Sequence, residues 1–200
     1  MTQTFPKKYE PKSLSDIVFA TDELKRRIGK YYSIGLNRPL LLYGPTGAGK
    51  TSIAKVLCGF GLSASAPCIT IFCAPEEEQP QEYQITHGWD KKKAVVDRIH
   101  YASRKSQEKM VAAMDRYNAV GGYSVVFTSN DLTRVHEDLK SVCELIHIPL
   151  ASTERWFDKV KSIFEMETGT TPSDEAVNNL IESTRRNGRQ ILYALEEACH

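Results

Sequence analysis

Eight consecutive residues have the types and spacing of a phosphate-binding loop. The stretch GPTGAGKT matches G-x-x-x-x-G-K-[ST] at every fixed position and comprises Gly44, Pro45, Thr46, Gly47, Ala48, Gly49, Lys50 and Thr51. Glycine lets backbone N–H groups turn toward phosphate oxygens, and a following helix presents its positive N-terminus to the anion. In such a loop the lysine reaches the β- and γ-phosphates and the hydroxyl ligates Mg²⁺. The stretch therefore predicts nucleotide binding with Mg²⁺.

The residues on both sides of this loop supply the context that the motif requires. RPLLLYG (38–44) is a short apolar run between Pro39 and Gly44, which predicts a buried strand. GKTSIAKVLCGFG (49–61) has the pattern of a helix that stops at glycine. The alternative is a glycine-rich turn without a ligand, but a strand before the loop and a helix after it favour phosphate binding.

Alternating strands and helices occupy most of the chain. Apolar and β-branched runs predict further strands at 68–74, 94–97, 123–130 and 143–149. Helical periodicity predicts helices at 22–35 and 103–117, and, after Pro149, at 152–166, 173–184 and 188–198. This order indicates an α/β fold, a parallel sheet flanked by helices, followed by a small all-helical lid domain. We expect the α/β nucleotide-binding domain at 1–150 and the lid at 151–200.

Several local features carry smaller expectations. The polar, proline-containing residues 1–13 are expected to be extended, and Asp22 is placed to cap a helix or to favour its dipole. Ser103, Ser152 and Ser173 are plausible helix caps. His147 falls in an apolar strand and is expected to be a buried imidazole rather than a ligand.

Composition and charge set few limits on partners. The chain has 200 residues, a formal net charge of +1 and a pI of about 7.6, so contact with nucleic acid would need a local basic face. It has no apolar run of about 18 residues and no signal-peptide core, so we expect no membrane partner and a cytoplasmic location, or a nuclear one in a eukaryote. The five cysteines lack a CxxC pair and are expected to be reduced thiols.

Four further stretches give the chain a family resemblance. KKYEPKSLSDIV (7–18) is similar to the signature K-Y-R-P-x-x-L-x-D-I-V, and VVFTSN (125–130) resembles a sensor-1 strand that ends at Asn130. LKSVCELIHI (139–148) resembles a segment that contains S-R-C. STRRNGRQILYALEEA (183–198) resembles a sensor-2 helix, usually G-D-x-R, in which Asn187 replaces Asp and Arg189 keeps the arginine. With the phosphate loop, these stretches resemble AAA+ ATPases, most closely the small subunits of sliding-clamp loaders.

The resemblance spans nearly all of the chain and implies several roles. ATP, or ADP, would be bound with Mg²⁺, Asn130 would act as sensor 1 and Arg189 as sensor 2, and other AAA+ subunits would be partners in a ring or filament. Clamp-loader subunits also carry a helical collar domain, which would begin where this chain ends. A naturally short chain and a fragment of a longer one are both compatible with that.

Two positions depart from the family pattern. KAVVDR (93–98) places Asp97 where the resemblance implies a Mg²⁺ ligand, but Arg98 stands where the family has the glutamate that acts as base. A guanidinium cannot accept a proton at neutral pH. Glu76–Glu78 and Asp90 are the alternatives to Asp97, which alone ends an apolar strand. In S-R-C the arginine reaches a neighbouring subunit's γ-phosphate, and Val142 replaces it here.

A local basic cluster is the candidate DNA contact. It comprises Lys91, Lys92, Lys93, Arg104, Lys105 and Lys109, with Arg98 close by in the sequence. In related rings this region faces the central channel, which implies contact with duplex DNA. An ordinary solvated helix face, balanced by Glu108 and Asp115, explains the same residues equally well.

Together these features predict an ATP-dependent assembly switch in DNA replication, recombination or transposition, because the binding residues are present and those specific to hydrolysis are not. Two alternatives stay open. One is an active ATPase loader or motor whose catalytic residues come from a partner. The other is a nucleotide-bound structural subunit without a role on DNA.

Overall fold

The computed structural model describes residues 3–59, 68–73, 93–118 and 124–200. Within these ranges the helices are α1 (Phe5–Lys8), α2 (Asp22–Ile34), α3 (Lys50–Leu57), α4 (Arg104–Asn118), α5 (Glu137–Val142), α6 (Thr153–Thr168), α7 (Asp174–Ser183) and α8 (Gly188–Ala198). The strands are β1 (Leu40–Tyr43), β2 (Cys68–Phe72), β3 (Lys93–Asp97), β4 (Ser124–Ser129) and β5 (Glu144–His147). The acidic stretch 75–84 and Trp89 lie outside the described residues.

The five strands form one parallel sheet in the order β2-β3-β4-β1-β5. Strand β1 lies between β4 and β5, and its Leu40 is opposite Val126 of β4 on one side and Glu144 of β5 on the other. Parallel strands end at the same edge, so β1, β3 and β4 bring Gly44, Asp97 and Asn130 to one side of the molecule. The prediction of a parallel sheet with flanking helices is confirmed.

Alternate residues of the strands build a core on each face. Leu40, Leu42 and Val95 pack with α2 and α3, whereas Leu41 and Phe127 pack with α4 and α5. Side chains alternate between the two faces of a strand, and both faces are covered here. The buried runs of the strands are therefore continuously apolar instead of apolar at every second residue. Helix α3, which follows the phosphate loop, is thereby fixed against the sheet.

A third core lies among the helices that follow the sheet. It contains Val160 and Ile163 of α6, Val177 and Ile181 of α7, and Ile191 and Leu195 of α8. Phe5 of α1 belongs to the same core and is 4% exposed. The N-terminal helix therefore packs on the lid, although it is separated from it in sequence by the whole sheet.

Some local expectations were wrong. Residues Phe5–Lys8 are helical rather than extended, because Pro6 is compatible with a first helical turn and burial of Phe5 in the lid stabilises it. Thr21 caps α2, since its hydroxyl accepts the Leu24 N–H, and Asp22 has the second of its two expected roles, as an acidic residue of the first turn that favours the helix dipole. His147 is exposed, at the end of β5, and its ring lies 5.1 Å from that of Tyr43.

Two of the predicted serine caps are present. The hydroxyls of Ser103 and Ser173 accept N–H groups from Ser106 and Ala176, as helix caps do. In the part of the chain that the structure describes, no helix has the length and apolar character needed to cross a membrane.

Candidate functional site

The phosphate loop connects β1 to α3, and its three glycines, Gly44, Gly47 and Gly49, all have backbone angles that other residues avoid. Gly44 has φ +145°, and a Cβ there would lie 2.2 Å from the carbonyl oxygen of Ile148. Gly49, with φ +86°, is the left-handed residue that begins α3. The motif requires glycine at positions 44 and 49, and the structure supplies the steric reason.

Lys50 is buried at the first turn of α3, with 6% of its surface exposed. Its ammonium donates to the carbonyl oxygens of Gly44 and Pro45, at 2.8 and 2.7 Å. Burial lowers the pKa of Lys50 to about 8. The negative charge of Asp97 opposes this shift, and the positive charge of Arg98 lowers the pKa by a smaller amount. The ammonium is still charged at pH 7 and can bind phosphate.

Thr51 and Asp97, predicted as Mg²⁺ ligands, are in direct contact. The Thr51 hydroxyl donates to Asp97 Oδ1 at 2.7 Å, and Thr128 donates to the same oxygen at 2.5 Å. Asp97 is 3% exposed. A hydroxyl and a carboxylate are the hard oxygen donors that Mg²⁺ takes when phosphates supply other positions. The donor set fits Mg²⁺, which would neutralise phosphate charge there. No cluster of three or more acidic, histidine or cysteine ligands occurs among the described residues.

Arg98 follows Asp97 in a left-handed backbone conformation, with φ 59°. Its N–H donates to the Thr128 hydroxyl at 2.9 Å, so the residue is fixed at the end of β3, and it lines the same cleft as Lys50. A non-glycine residue in this region of φ/ψ space carries strain that its surroundings must maintain.

Other carboxylates around the cleft are engaged elsewhere. Within the described ranges, the acidic residues that line it are Glu10, Asp16 and Asp97. Glu10 pairs with Lys55 at 2.6 Å, and Asp16 accepts the N–H groups of Lys12 and Ser13. This part of the chain therefore places no second carboxylate beside Asp97. Glu76–Glu78 and Asp90 lie in stretches that the structure does not describe.

Asn130 follows β4, is exposed and lines the cleft. Its backbone N–H is 3.3 Å from Nδ1 of His100, which is also 3.3 Å from the Ser129 hydroxyl. His100 is buried, and burial, followed by the charge of Arg134, lowers its pKa. Sequence reasoning missed His100, because it belongs to none of the motifs that the sequence contains.

The lid contributes the opposite wall through the N-terminus of α8. Arg189 lines the cleft with Gly188, Leu192 and Trp156. Asn187 precedes the helix, and its side-chain oxygen accepts the N–H groups of Arg189 and Gln190. The predicted sensor-1 and sensor-2 residues therefore line the same cleft as the phosphate loop.

The N-terminal segment forms a further wall that sequence reasoning had not assigned to the site. Its cleft-lining residues are Pro6, Tyr9, Glu10, Pro11, Asp16, Ile17 and Val18. Four of them, Pro6, Pro11, Ile17 and Val18, are apolar, as much of the lining of ligand pockets is. The stretch 7–18, which contributes to the family resemblance, is the part of the sequence that could have indicated this wall.

The structure divides the predicted basic cluster. Arg104 and Lys105 are exposed at the start of α4, where Arg104 pairs with Glu108 at 3.0 Å, and Lys109 is half-buried one turn later. The Lys93 ammonium lies beside Gly59, which follows the end of α3. Lys93 is therefore on the face of the sheet that α3 covers, opposite to the face that carries α4. Lys91 and Lys92 lie outside the described residues.

Val142 ends α5 and packs partly buried against the core beneath α4. Arg134 stands in a 3₁₀ turn with its guanidinium 5.6 Å from the centre of the Tyr101 ring. It is therefore engaged with a neighbouring ring within its own subunit.

A five-stranded parallel sheet with a phosphate loop after β1, and a helical lid facing that loop, define a phosphate-loop nucleotide-binding fold. The family model described as "ATPase family associated with various cellular activities (AAA)" matches residues 40–150. That is more than half of the chain, and the protein belongs to this family.

Individual proteins are also similar to this chain in sequence. Replication factor C small subunit 2 of Pyrobaculum aerophilum is 25% identical over 202 residues, which cover 96% of this chain. The chain spans 62% of that relative's length. The Holliday junction branch migration complex subunit RuvB of Parasynechococcus marenigrum is 33% identical over 112 residues, 52% of this chain and 31% of the relative.

A solved structure shows the same fold. The RuvB Holliday junction branch migration motor of Thermotoga maritima superposes with a TM-score of 0.73 and 16% identity. The match covers 94% of this chain and 64% of that one. The chain is thus an AAA+ protein that resembles clamp-loader small subunits and has the fold of RuvB.

Proposed function

We propose that this protein binds ATP with Mg²⁺ in the cleft between sheet and lid, and hydrolyses it slowly. Bound nucleotide would then hold the lid in one position and act as an ATP-dependent assembly switch. The partners would be other AAA+ subunits and duplex DNA, in the cytoplasm or in a nucleus. ADP would occupy the same cleft after turnover.

The contact between Thr51 and Asp97 beside buried Lys50 is the observation that carries this proposal. Lys50 and Thr51 begin α3, and Asp97 ends β3, 46 positions after Thr51. The three residues meet where the loop N–H groups would hold phosphates. Asn130 and Arg189 line the same cleft from β4 and the lid. The arrangement supports nucleotide binding and a lid that responds to it.

Slow hydrolysis follows from what stands beside Asp97. A base must lie within hydrogen-bond reach of the attacking water, directly or through another water, and Arg98 fills that position with a cation. Val142 carries no charge to stabilise the transition state in a neighbouring site. Binding without transition-state stabilisation gives occupancy rather than turnover.

The decisive measurements are equilibrium binding of a fluorescent ATP analogue and phosphate release by the purified protein. We expect Mg²⁺-dependent binding that Lys50→Ala abolishes and that the exposed control Lys30→Ala leaves intact. Turnover should be on the order of 0.01 s⁻¹ or less, as in phosphate-loop proteins without a GAP. A rate above about 1 s⁻¹, the ordinary enzyme range, would overturn slow hydrolysis. If that rate appears only with a partner subunit, the partner supplies the catalytic residues.

The role on DNA rests on the relatives' names and on exposed Arg104 and Lys105, and it needs its own test. Duplex binding should weaken with salt, and reversing both charges to glutamate should reduce the slope of log K against log salt by about 2. Glu108→Gln, which releases Arg104 from its pair, should not weaken binding. Absence of salt-dependent binding would favour a structural subunit without a DNA role.

A further inference from the structure

Asn187 connects the lid directly to the phosphate loop. Its side-chain Nδ2 donates to the carbonyl oxygen of Thr46 at 3.1 Å. Its Oδ1 accepts the N–H groups of Arg189 and Gln190 at 3.2 and 3.3 Å. One amide therefore caps α8 with its oxygen and binds the loop with its nitrogen.

A backbone contact lies next to this bridge. The N–H of Gly188 donates to the carbonyl oxygen of Gly47 at 3.1 Å. A Cβ on Gly188 would lie 2.7 Å from Trp156 Cζ2 and 3.1 Å from the Gly47 oxygen, so only glycine permits this approach. The lid thus holds two consecutive carbonyls of the loop.

Gly47 provides the space for the Asn187 amide. It occupies a variable position of the phosphate-loop motif and has φ +82°, a left-handed conformation that by itself favours glycine. A Cβ there would lie 2.1 Å from Asn187 Oδ1 and 2.2 Å from Asn187 Cγ. The missing side chain of Gly47 and the amide of Asn187 are complementary in shape.

Binding these carbonyls fixes the direction of the N–H groups that follow them. In a trans peptide the C=O and the next N–H point in opposite directions from one rigid plane. Holding the oxygens of Thr46 and Gly47 toward α8 therefore directs the N–H groups of Gly47 and Ala48 away from it. The Gly47 N–H is among the groups with which the motif cradles phosphate, and the Ala48 N–H, which donates to the Pro45 carbonyl oxygen at 3.4 Å in this structure, would turn to join it.

We propose that Asn187 is a positioning residue that couples the angle of the lid to the phosphate-binding conformation of the loop. This rests on the proposed binding of ATP. An ordered loop favours the closed lid, and a closed lid prepares the loop for phosphate, so the coupling acts in both directions. An amide is required, because an aspartate in this position can accept from the helix but cannot donate to Thr46.

Asn187→Asp and Asn187→Ser separate the bridge from the helix cap. Both residues are good N-caps, but neither donates from the amide position to the Thr46 oxygen, and serine adds no charge. We expect ATP binding to weaken about tenfold in both variants. Hydrogen exchange should become faster in peptides covering 44–50 and 186–192 without nucleotide, while peptides of α6 and α7 keep wild-type protection. Wild-type ATP affinity and exchange in both variants would overturn the proposal.

A double-mutant cycle with Gly47→Ala tests the contact itself. Gly47→Ala should displace the amide, strain the backbone at φ +82° and, like Asn187→Ala, accelerate exchange in both peptides. The backbone strain is present with and without Asn187, so it cancels from the coupling between the two positions. Asn187→Ala removes the atoms that clash with the new methyl group, so the double variant should lose less than the sum of the two single losses. Additive losses would contradict the coupling.

The two proposals fail in different ways. If the wild type binds no ATP, the proposed function is wrong, but exchange without nucleotide still tests the bridge. If the wild type binds ATP and the Asn187 variants behave identically to it, only the coupling is wrong.

Discussion

Asp97 and Arg98 are neighbours with opposite charges at the end of β3, and their contacts differ. Asp97 accepts two threonine hydroxyls and is almost fully buried, whereas Arg98 is fixed through its backbone N–H and lines the cleft. The first residue has the surroundings of a metal ligand. In the proposed function the second occupies the position of the residue that would activate water, and this difference leads to a direct test.

Arg98→Glu should accelerate ATP hydrolysis. A positioned general base contributes roughly 10²–10⁴-fold, and we expect at least about tenfold here, since Val142 still supplies no cation in trans. Arg98→Gln is the matched control, because it removes the cation without adding a base. Phosphate release under single-turnover conditions measures both. Equal rates in the two variants would show that the missing carboxylate is not what limits turnover.

His100 should make the protein less stable in mild acid. Burial and Arg134 lower its pKa, opposed by Asp131, so the unfolded chain binds a proton that the folded chain does not. The free energy of unfolding therefore falls as the pH drops below about 6.5, by up to about 1.4 kcal/mol per pH unit. His100→Asn keeps an acceptor for the Asn130 N–H but does not titrate.

Urea unfolding at pH 7.5 and 5.5 measures this effect. The wild type should lose more stability between the two pH values than His100→Asn. His147→Asn, at an exposed histidine, should follow the wild type. If His100→Asn has the same acid sensitivity as the wild type, another group is responsible.

At the scale of elements, the sequence predicted what local patterns determine. The strands came from apolar runs, and the lid helices from their periodicity and serine caps. The docking of α1 on the lid was not predictable, because Phe5 is buried by α6, α7 and α8, more than 140 residues away. Likewise, Thr46 and Gly47 gave no sign that Asn187 binds them. Contacts between distant segments leave little trace in either segment alone.

Phe5→Ala should release α1 from the lid. Replacing a buried phenylalanine by alanine costs about 3–5 kcal/mol, and we expect about 2–3, because a short terminal helix can detach without leaving a full cavity. The bond from the Phe5 N–H to Glu196 and the pair between Lys8 and Glu167 would be lost with it. ATP binding should weaken as well, since Tyr9 lines the cleft.

Urea unfolding and analogue binding by Phe5→Ala test the docking of α1. Lys7→Ala, an exposed change in the same helix, is the matched control and should alter neither quantity by much. Wild-type stability in Phe5→Ala would mean that α1 does not hold the lid in solution.

At the scale of the molecule, the cleft is built from three parts that the sequence places far apart. The α/β part supplies Lys50 from α3 and Asp97 from β3, the lid supplies Arg189, and the N-terminal segment closes the remaining side. The motif predicted the first part and the family resemblance the second. The third depends on how α1 and the following segment cross between lid and sheet, which only the packed structure shows.

Assembly into a ring or filament would place α5 of one subunit near the next subunit's cleft, as the family resemblance implies. Val142→Arg, combined with Arg98→Glu, should then supply the missing cation in trans. The stem of an arginine can cover the apolar surface beneath Val142 while its guanidinium stays in water, so the variant should fold. Hydrolysis per subunit should rise with protein concentration and exceed that of Arg98→Glu alone by at least about tenfold.

Val142→Gln in the Arg98→Glu chain is the control for this experiment, because it is polar and of similar length but uncharged. A guanidinium acting across an interface gives a rate per subunit that depends on concentration, whereas one acting within its own chain does not. A concentration-independent rate, or equal rates for arginine and glutamine, would mean that copies of this chain do not place α5 at a neighbour's phosphates. The required neighbour would then be a different AAA+ subunit, and adding it should restore the concentration dependence.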